Sequence, residues 1–341
     1  MLISGCTVLA GRDDISQQIP PPSLKFSFIE TLRNADSLKG ERFNEVAFHT
    51  DPATSLQQPE SVFADAFRVY ATDMALGGRI FIFDRSDRSV TIIDRAKLKG
   101  SNGGSLVTPE GTNISPLNIS GIAVDVNGII FVSDSQQAKV FGYDRNGKLL
   151  VTFGKMGGLS RPSGLAIDNR RNRLYVADAH AHQVSVFSLV TNDPTGHKFD
   201  IGSSGPMSEQ LKSPISLALD GNGNLLVLDS IRKKVQIYDP DGKFLRAFPL
   251  SDETPGGIIR PKGIAVDSLG YIYVSDIVNN NIQVFDQEGI LLLIWGTTGI
   301  VAGNFMIPSG IFIDGQNTLY IADQTNGRIQ HFSISVPQSY K

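Results

Sequence analysis

The chain is poor in cysteine, tryptophan and histidine, and has no surplus of charge of either sign. Its 341 residues include one cysteine, one tryptophan and five histidines. A lone Cys6 excludes an intrachain disulfide and any zinc site built from several thiolates. Lys plus Arg number 31 against 34 Asp plus Glu, a net charge of −3. The surface as a whole therefore offers no cationic footprint for a polyanion, and nucleic-acid binding would need a local patch. No apolar run reaches the roughly 18 residues that a membrane-spanning helix needs. No Gly-x-Ser-x-Gly elbow occurs, and the Gly-rich stretches at 101–104 and 202–205 lack the lysine of a phosphate loop.

What the chain has in quantity is glycine, 34 residues, and proline, 17, among β-branched and aromatic side chains. That mixture predicts many short strands joined by tight turns. It is also periodic. Three segments opening at Pro214, Pro261 and Pro308 are spaced 47 residues apart and share an apolar run to a first aspartate (Asp220, Asp267, Asp314) and a second run to another (Asp229, Asp276, Asp323). Earlier copies run from Pro162 to Asp168 and Asp178, from Ile119 to Asp125 and Asp134, and, in a worn form, from Pro59 to Asp65 and Asp73. Each copy predicts two strands up to the second aspartate. A third, alternating strand follows, as in Val235-Gln-Ile-Tyr238, and a fourth comes after a turn such as Asp239-Pro-Asp-Gly242. Four strands in about 45 residues describe a propeller blade.

The sixth copy ends too close to the last residue to hold a fourth strand, whereas the stretch from Lys25 to Leu32, after Pro20-Pro21-Pro22, is strand-like and precedes the first copy. The expected fold is all-β: a six-bladed β-propeller of four-stranded antiparallel blades, its ring closed by an N-terminal strand. The expected division is a tether at 1–23, one propeller at 24–336 and a tail at 337–341.

The pattern Pro-x-Gly-Ile/Leu-Ala-Val/Ile-Asp, then Tyr-Val/Ile-Ala/Ser-Asp, then Ile/Val-Gln-x-Phe resembles the NHL repeat, from about Pro59 to Phe332. That resemblance implies the propeller fold and leaves function open, because related propellers include enzymes, receptors, RNA binders and scaffolds. The paired aspartates recur in every copy, so they read as acceptors for backbone N–H groups at strand ends and not as acid/base dyads. Asp220-Gly-Asn-Gly-Asn224 resembles the start of a calcium loop, but Ile231 stands where the loop needs glutamate.

The segment 176–184 is similar to one that carries a zinc-binding histidine in the peptidyl-hydroxyglycine amidating lyases, with His182 in the matching place. The resemblance implies two further histidines directly after first-strand prolines. Here those positions hold Glu60, Ser163, Ile215, Lys262 and Ser309. On a strand His180 and His182 would share one face and form a weak metal-binding candidate; the expected reading is two solvated loop histidines. His331 is expected partly buried and hydrogen-bonded in a third strand.

In a propeller the loop into each first strand and the loop between the second and third strands share a face. Lys212, Arg232, Lys233, Lys234, Arg260 and Lys262 gather there on adjacent copies, a candidate surface for an acidic protein or anionic ligand. Exposed aromatics for base stacking are scarce in those loops, which disfavours RNA. Leu2-Ile3-Ser4-Gly5-Cys6 resembles a bacterial lipobox, though the stretch before it is shorter than a full signal. A truncated lipoprotein leader, anchored outside the cytoplasm at Cys6, and a chance match are the two readings. The sequence thus predicts a monomeric binding or scaffold propeller with no cofactor, against the alternative of a metal-dependent propeller enzyme of amidating-lyase or lactonase kind.

Overall fold

The computed structural model describes residues 24–39, 51–94, 118–154, 158–190, 196–203, 205, 210–250 and 257–335. Six four-stranded antiparallel sheets form six blades. Blade one begins at Pro59–Ala64, blade two at Ile119–Val124, blade three at Pro162–Asp168, blade four at Pro214–Leu219, blade five at Pro261–Val266 and blade six at Pro308–Ile313. Within blades one to five the strands follow chain order. Blade six takes its outer strand from Lys25–Leu32, which pairs antiparallel with Arg328–Ser335. The expected closure is therefore observed.

The second strands explain why the repeat reads as continuous apolar runs. Ile130–Asp134, Leu225–Asp229 and Ile272–Asp276 are buried at every residue, because each blade is covered on both faces by its neighbours, so both faces favour apolar side chains. Fourth strands such as Leu149–Phe153 lie at the perimeter and are only half-buried. The apolar core is accordingly divided. Leu226, Leu228, Val235 and Phe248 of blade four pack against Ile264, Ile272, Val274 and Phe285 of blade five. Comparable clusters fill the other five junctions, including the one between blade six and blade one, where Tyr320 and Ile329 meet Val69 and Phe81.

Polar atoms also cross every junction. The Thr72 hydroxyl donates to the Ser120 carbonyl at 2.7 Å, Ser133 to Ser163 at 2.5 Å and Ser163 to Pro214 at 3.4 Å. The Ile264 N–H donates to the Ser216 hydroxyl at 3.2 Å, Ser275 donates to the Ser309 carbonyl at 2.7 Å, and Ser309 to the Glu60 carbonyl at 2.9 Å. These bonds draw first-strand backbones so close that the second residue after the junction proline has little room. A Cβ at Gly263 would lie 2.6 Å from the Ser309 carbonyl oxygen, and one at Gly310 would lie 2.7 Å from that of Glu60. The glycine of the repeat is thus a close-approach residue. Gly263→Val is expected to lower stability by about 3 kcal/mol in urea unfolding; a loss below about 0.5 kcal/mol would show that the junction can open without cost.

Buried tyrosines tie second strands to the turns after the first strands. Tyr70 donates to Asp65 at 2.9 Å and Tyr320 to Asp314 at 3.1 Å. Burial, reinforced by the neighbouring aspartate, pushes both phenols up to about 12 from an ordinary 10.0, and raises Tyr143 and Tyr273 as well. A phenol whose folded value lies above its unfolded one stabilises the fold fully below pH 10, and that contribution is lost as pH rises towards about 12. Phenolate absorbance of these residues should therefore rise together with loss of the β-sheet circular dichroism signal. Full tyrosine ionisation before any unfolding would contradict it.

Candidate functional site

The second aspartate of each copy builds one face of the ring. Asp276 accepts N–H bonds from Ile259 at 2.7 Å, Arg260 at 3.1 Å and Val278 at 3.0 Å. Asp178 accepts from Ser160, Arg161 and Ala181, and Asp229 from Lys212, Ser213 and Arg232. Each carboxylate thus clips the loop before the first strand to the loop after the second. First aspartates act likewise at the opposite end: Asp220 accepts from Asn222 and Asn224 in a hairpin turn, as its calcium-loop resemblance did not require. The structural reading of the pairs holds.

Inside the clipped loops the ring opens into a cavity of about 500 Å³ on its axis, lined among others by Glu60, Arg161, Ser163, Ile215, Arg260 and Lys262. The volume suits a small ligand or an inserted side chain. Lys262 of blade five reaches past blade six to Glu60 of blade one, with Nζ 2.6 Å from Oε1, and Gln324 donates to Oε2 at 2.7 Å. The only acidic side chain lining the cavity among the described residues is thereby neutralised. Arg161 and Arg260 stand exposed directly before the prolines of blades three and five, and their guanidiniums have no hydrogen bond or ion pair among the described residues. Two free positive charges therefore face the same space.

The expected six-cation patch is only partly assembled. Arg260 and Lys262 reach the cavity, but Lys262 is occupied by Glu60. The Arg232 guanidinium donates to the Gly205 carbonyl, and Lys234 opens a third strand, half-buried. Lys212 is exposed on the same face outside the cavity lining. Sequence reasoning passed over Arg161, although it holds in blade three the position that Arg260 holds in blade five, and it treated Glu60 only as a missing histidine.

His180 and His182 lie in the loop after the strand, in line with the reading of two loop histidines, and not on a shared strand face. The strand ends at Asp178 because that carboxylate captures the Ala181 N–H and turns the chain. The two rings are 6.5 Å apart between centroids, and His182, with a φ of 60°, places Nδ1 2.5 Å from the Lys212 carbonyl oxygen. Among the described residues no three His, Cys, Asp or Glu side chains converge on a point. His331 is fully buried, more than expected, with its Nε2 2.9 Å from a carboxylate oxygen of Glu30 on the closing strand. Cys6 lies outside the described residues.

Around the cavity, the same loops expose aliphatic side chains: Ile231 of blade four, Ile259 and Val278 of blade five, Ile307 of blade six, and Met74 and Leu76 of blade one. Ile231 is 65% exposed and Leu76 66%. Among the described residues the two exposed large aromatics, Phe28 and Phe67, lie elsewhere, on the closing strand and on a turn at the opposite end of the ring. Exposed apolar side chains grouped on one face mark an interaction surface more strongly than scattered ones.

Fold and site together define a closed six-bladed β-propeller with an axial cavity and a partly apolar loop face. The family model of the NHL repeat matches residues 159–187, so the chain carries that repeat, and the other five blades repeat its paired aspartates. Human NHL repeat-containing protein 2 is 27% identical over 160 residues, which cover 40% of this chain and 22% of the relative. The chain thus matches about a fifth of the length of that curated relative. Among solved structures, an auxiliary nutrient binding protein from Bacteroides ovatus has a TM-score of 0.62 at 13% identity, covering 92% of this chain and 76% of that one. Virginiamycin B lyase from Staphylococcus aureus has a TM-score of 0.57 at 15% identity, covering 91% and 99%. At such identities the likeness is one of fold, and it extends to a binding protein and an enzyme alike.

Proposed function

We propose that this propeller is a recognition protein, binding a partner through the face formed by the loops that its second aspartates clip together, with no bond made or broken. The observation that carries the reading is the arc of exposed aliphatic residues, Ile231, Ile259, Val278, Ile307, Met74 and Leu76, around the mouth of the axial cavity. Rigid scaffolds present binding residues on loops in this way. A photoreactive residue placed at Ile231 should give a discrete cross-linked adduct in cells, and one at Leu150 on the perimeter should not. Equal labelling from both positions, or none from either, would remove the face as the binding surface. Elemental analysis of dialysed protein tests the enzyme alternative: one tightly held equivalent of zinc or calcium would favour a metal-dependent reaction instead.

The lipobox-like segment ending at Cys6 supports a tether outside the cytoplasm. Metabolic labelling with a palmitate analogue should mark the chain and fail with Cys6→Ser; unlabelled protein that partitions with the soluble fraction would remove the tether.

A further inference from the structure

Resting on that reading, we infer that the partner is a protein that inserts an acidic residue flanked by aliphatic ones, its carboxylate meeting Arg161 and Arg260 in the axial cavity. Charge complementarity comes first. Glu60 is already paired with Lys262 and Gln324, so among the described residues the cavity keeps two positive charges and no free negative one. Both guanidiniums stand on backbone fixed by Asp178 and Asp276, at 2.8 and 3.1 Å from the respective N–H groups, so their roots are held before a ligand arrives. A guanidinium presents a planar fork of donors that matches a carboxylate.

The rim selects among anions. A small organic acid contained in about 500 Å³ could touch Ile231 and Met74, which line the cavity, but would leave Ile259, Val278, Ile307 and Leu76 of the arc unused. A polypeptide that enters the cavity with one side chain covers the arc with its neighbours, and burying that apolar surface adds to affinity. Single-stranded RNA would need bases stacked on aromatic rings, and the exposed large side chains of this face are aliphatic.

The test is panning of a random heptapeptide display library against the full chain, followed by titration of the best fluorescent peptide. Enriched peptides should carry Asp or Glu beside Leu, Ile or Val. Arg161→Gln with Arg260→Gln should weaken the peptide at least about tenfold, as loss of charge-paired contacts does, with an unchanged melting curve. Ile231→Glu with Val278→Glu should weaken it as well. Enriched peptides without an acid, sensitive to the Ile231/Val278 pair but not to the arginines, would overturn this inference while leaving the recognition face intact. Peptides sensitive to neither pair would overturn both. Arginine-dependent binding of oligouridine tighter than that of any peptide would overturn the inference in favour of RNA.

Discussion

A chain that starts at Arg33 is expected to lose the cooperative fold. Removing Lys25–Leu32 leaves blade six with three strands and strips the Arg328–Ser335 edge of its partner. It exposes the seat of Leu32, which is fully buried, and of Leu24, which is nearly so. It also removes Phe26, whose ring stacks on Trp295 of blade five at 4.4 Å and 3°. Two to three large apolar side chains, at about 1.5–3 kcal/mol each, amount to a large share of the stability of a typical domain. Because Trp295 is the sole tryptophan, its fluorescence reports this contact directly and should shift to that of an indole in water. The milder Phe26→Ala should lower the urea midpoint by about 3 kcal/mol equivalent with the same spectral change. A truncated chain that melts within a few degrees of the parent, with Trp295 still in an apolar setting, would show that the ring does not depend on this strand.

The second large effect is expected at Asp276. Its carboxylate satisfies the N–H groups of Ile259, Arg260 and Val278 and the side-chain amide of Asn279 at 3.0 Å, and it is fully buried. Asp276→Ala strands those donors away from water, at about 1–3 kcal/mol for each that finds no substitute. A loss of about 4 kcal/mol is therefore expected, together with release of the loop that carries Arg260. Asp239 does similar work for Asp241 and Lys243 in an exposed turn, where water can replace it, so Asp239→Ala should cost about 1 kcal/mol or less. Equal effects at the two positions in denaturant titrations would refute the assignment of Asp276 as an inter-loop clip.

The contrast between these aspartates shows what the sequence could convey. Repetition identified Asp276 as a backbone acceptor, since a residue needed at every blade is serving the blade, and the turn Asp239-Pro-Asp-Gly242 placed Asp239 between a third and a fourth strand. Their different burial was not legible, because it depends on whether the turn lies at the perimeter or faces the axis. The closing strand was legible from a deficit, the missing fourth strand after Phe332, matched by an unassigned strand before Pro59. The electrostatics of the cavity were not. Lys262 and Glu60 are far apart in sequence and two blades apart in space, and nothing in their spacing announces that one neutralises the other. Arg161 could have been found from register alone, since it precedes Pro162 as Arg260 precedes Pro261. The two histidines fall in the turn after Asp178, where capture of the Ala181 N–H ends the strand, so the shared strand face on which they could have held a metal does not form.

The hydroxyl bonds that cross all six junctions bear on how such a ring comes apart. An open stack of repeats frays from its ends, where the terminal unit has one neighbour to lose. Here Ser309 hands its hydrogen bond back to blade one, so every unit has two neighbours and none is terminal. Detaching any blade breaks two interfaces at once, each with its own apolar cluster. Partial unfolding is thereby made costly at every point of the circle. A ring built this way is expected to open as a whole, and its cavity-facing loops stand on a support without a weak end.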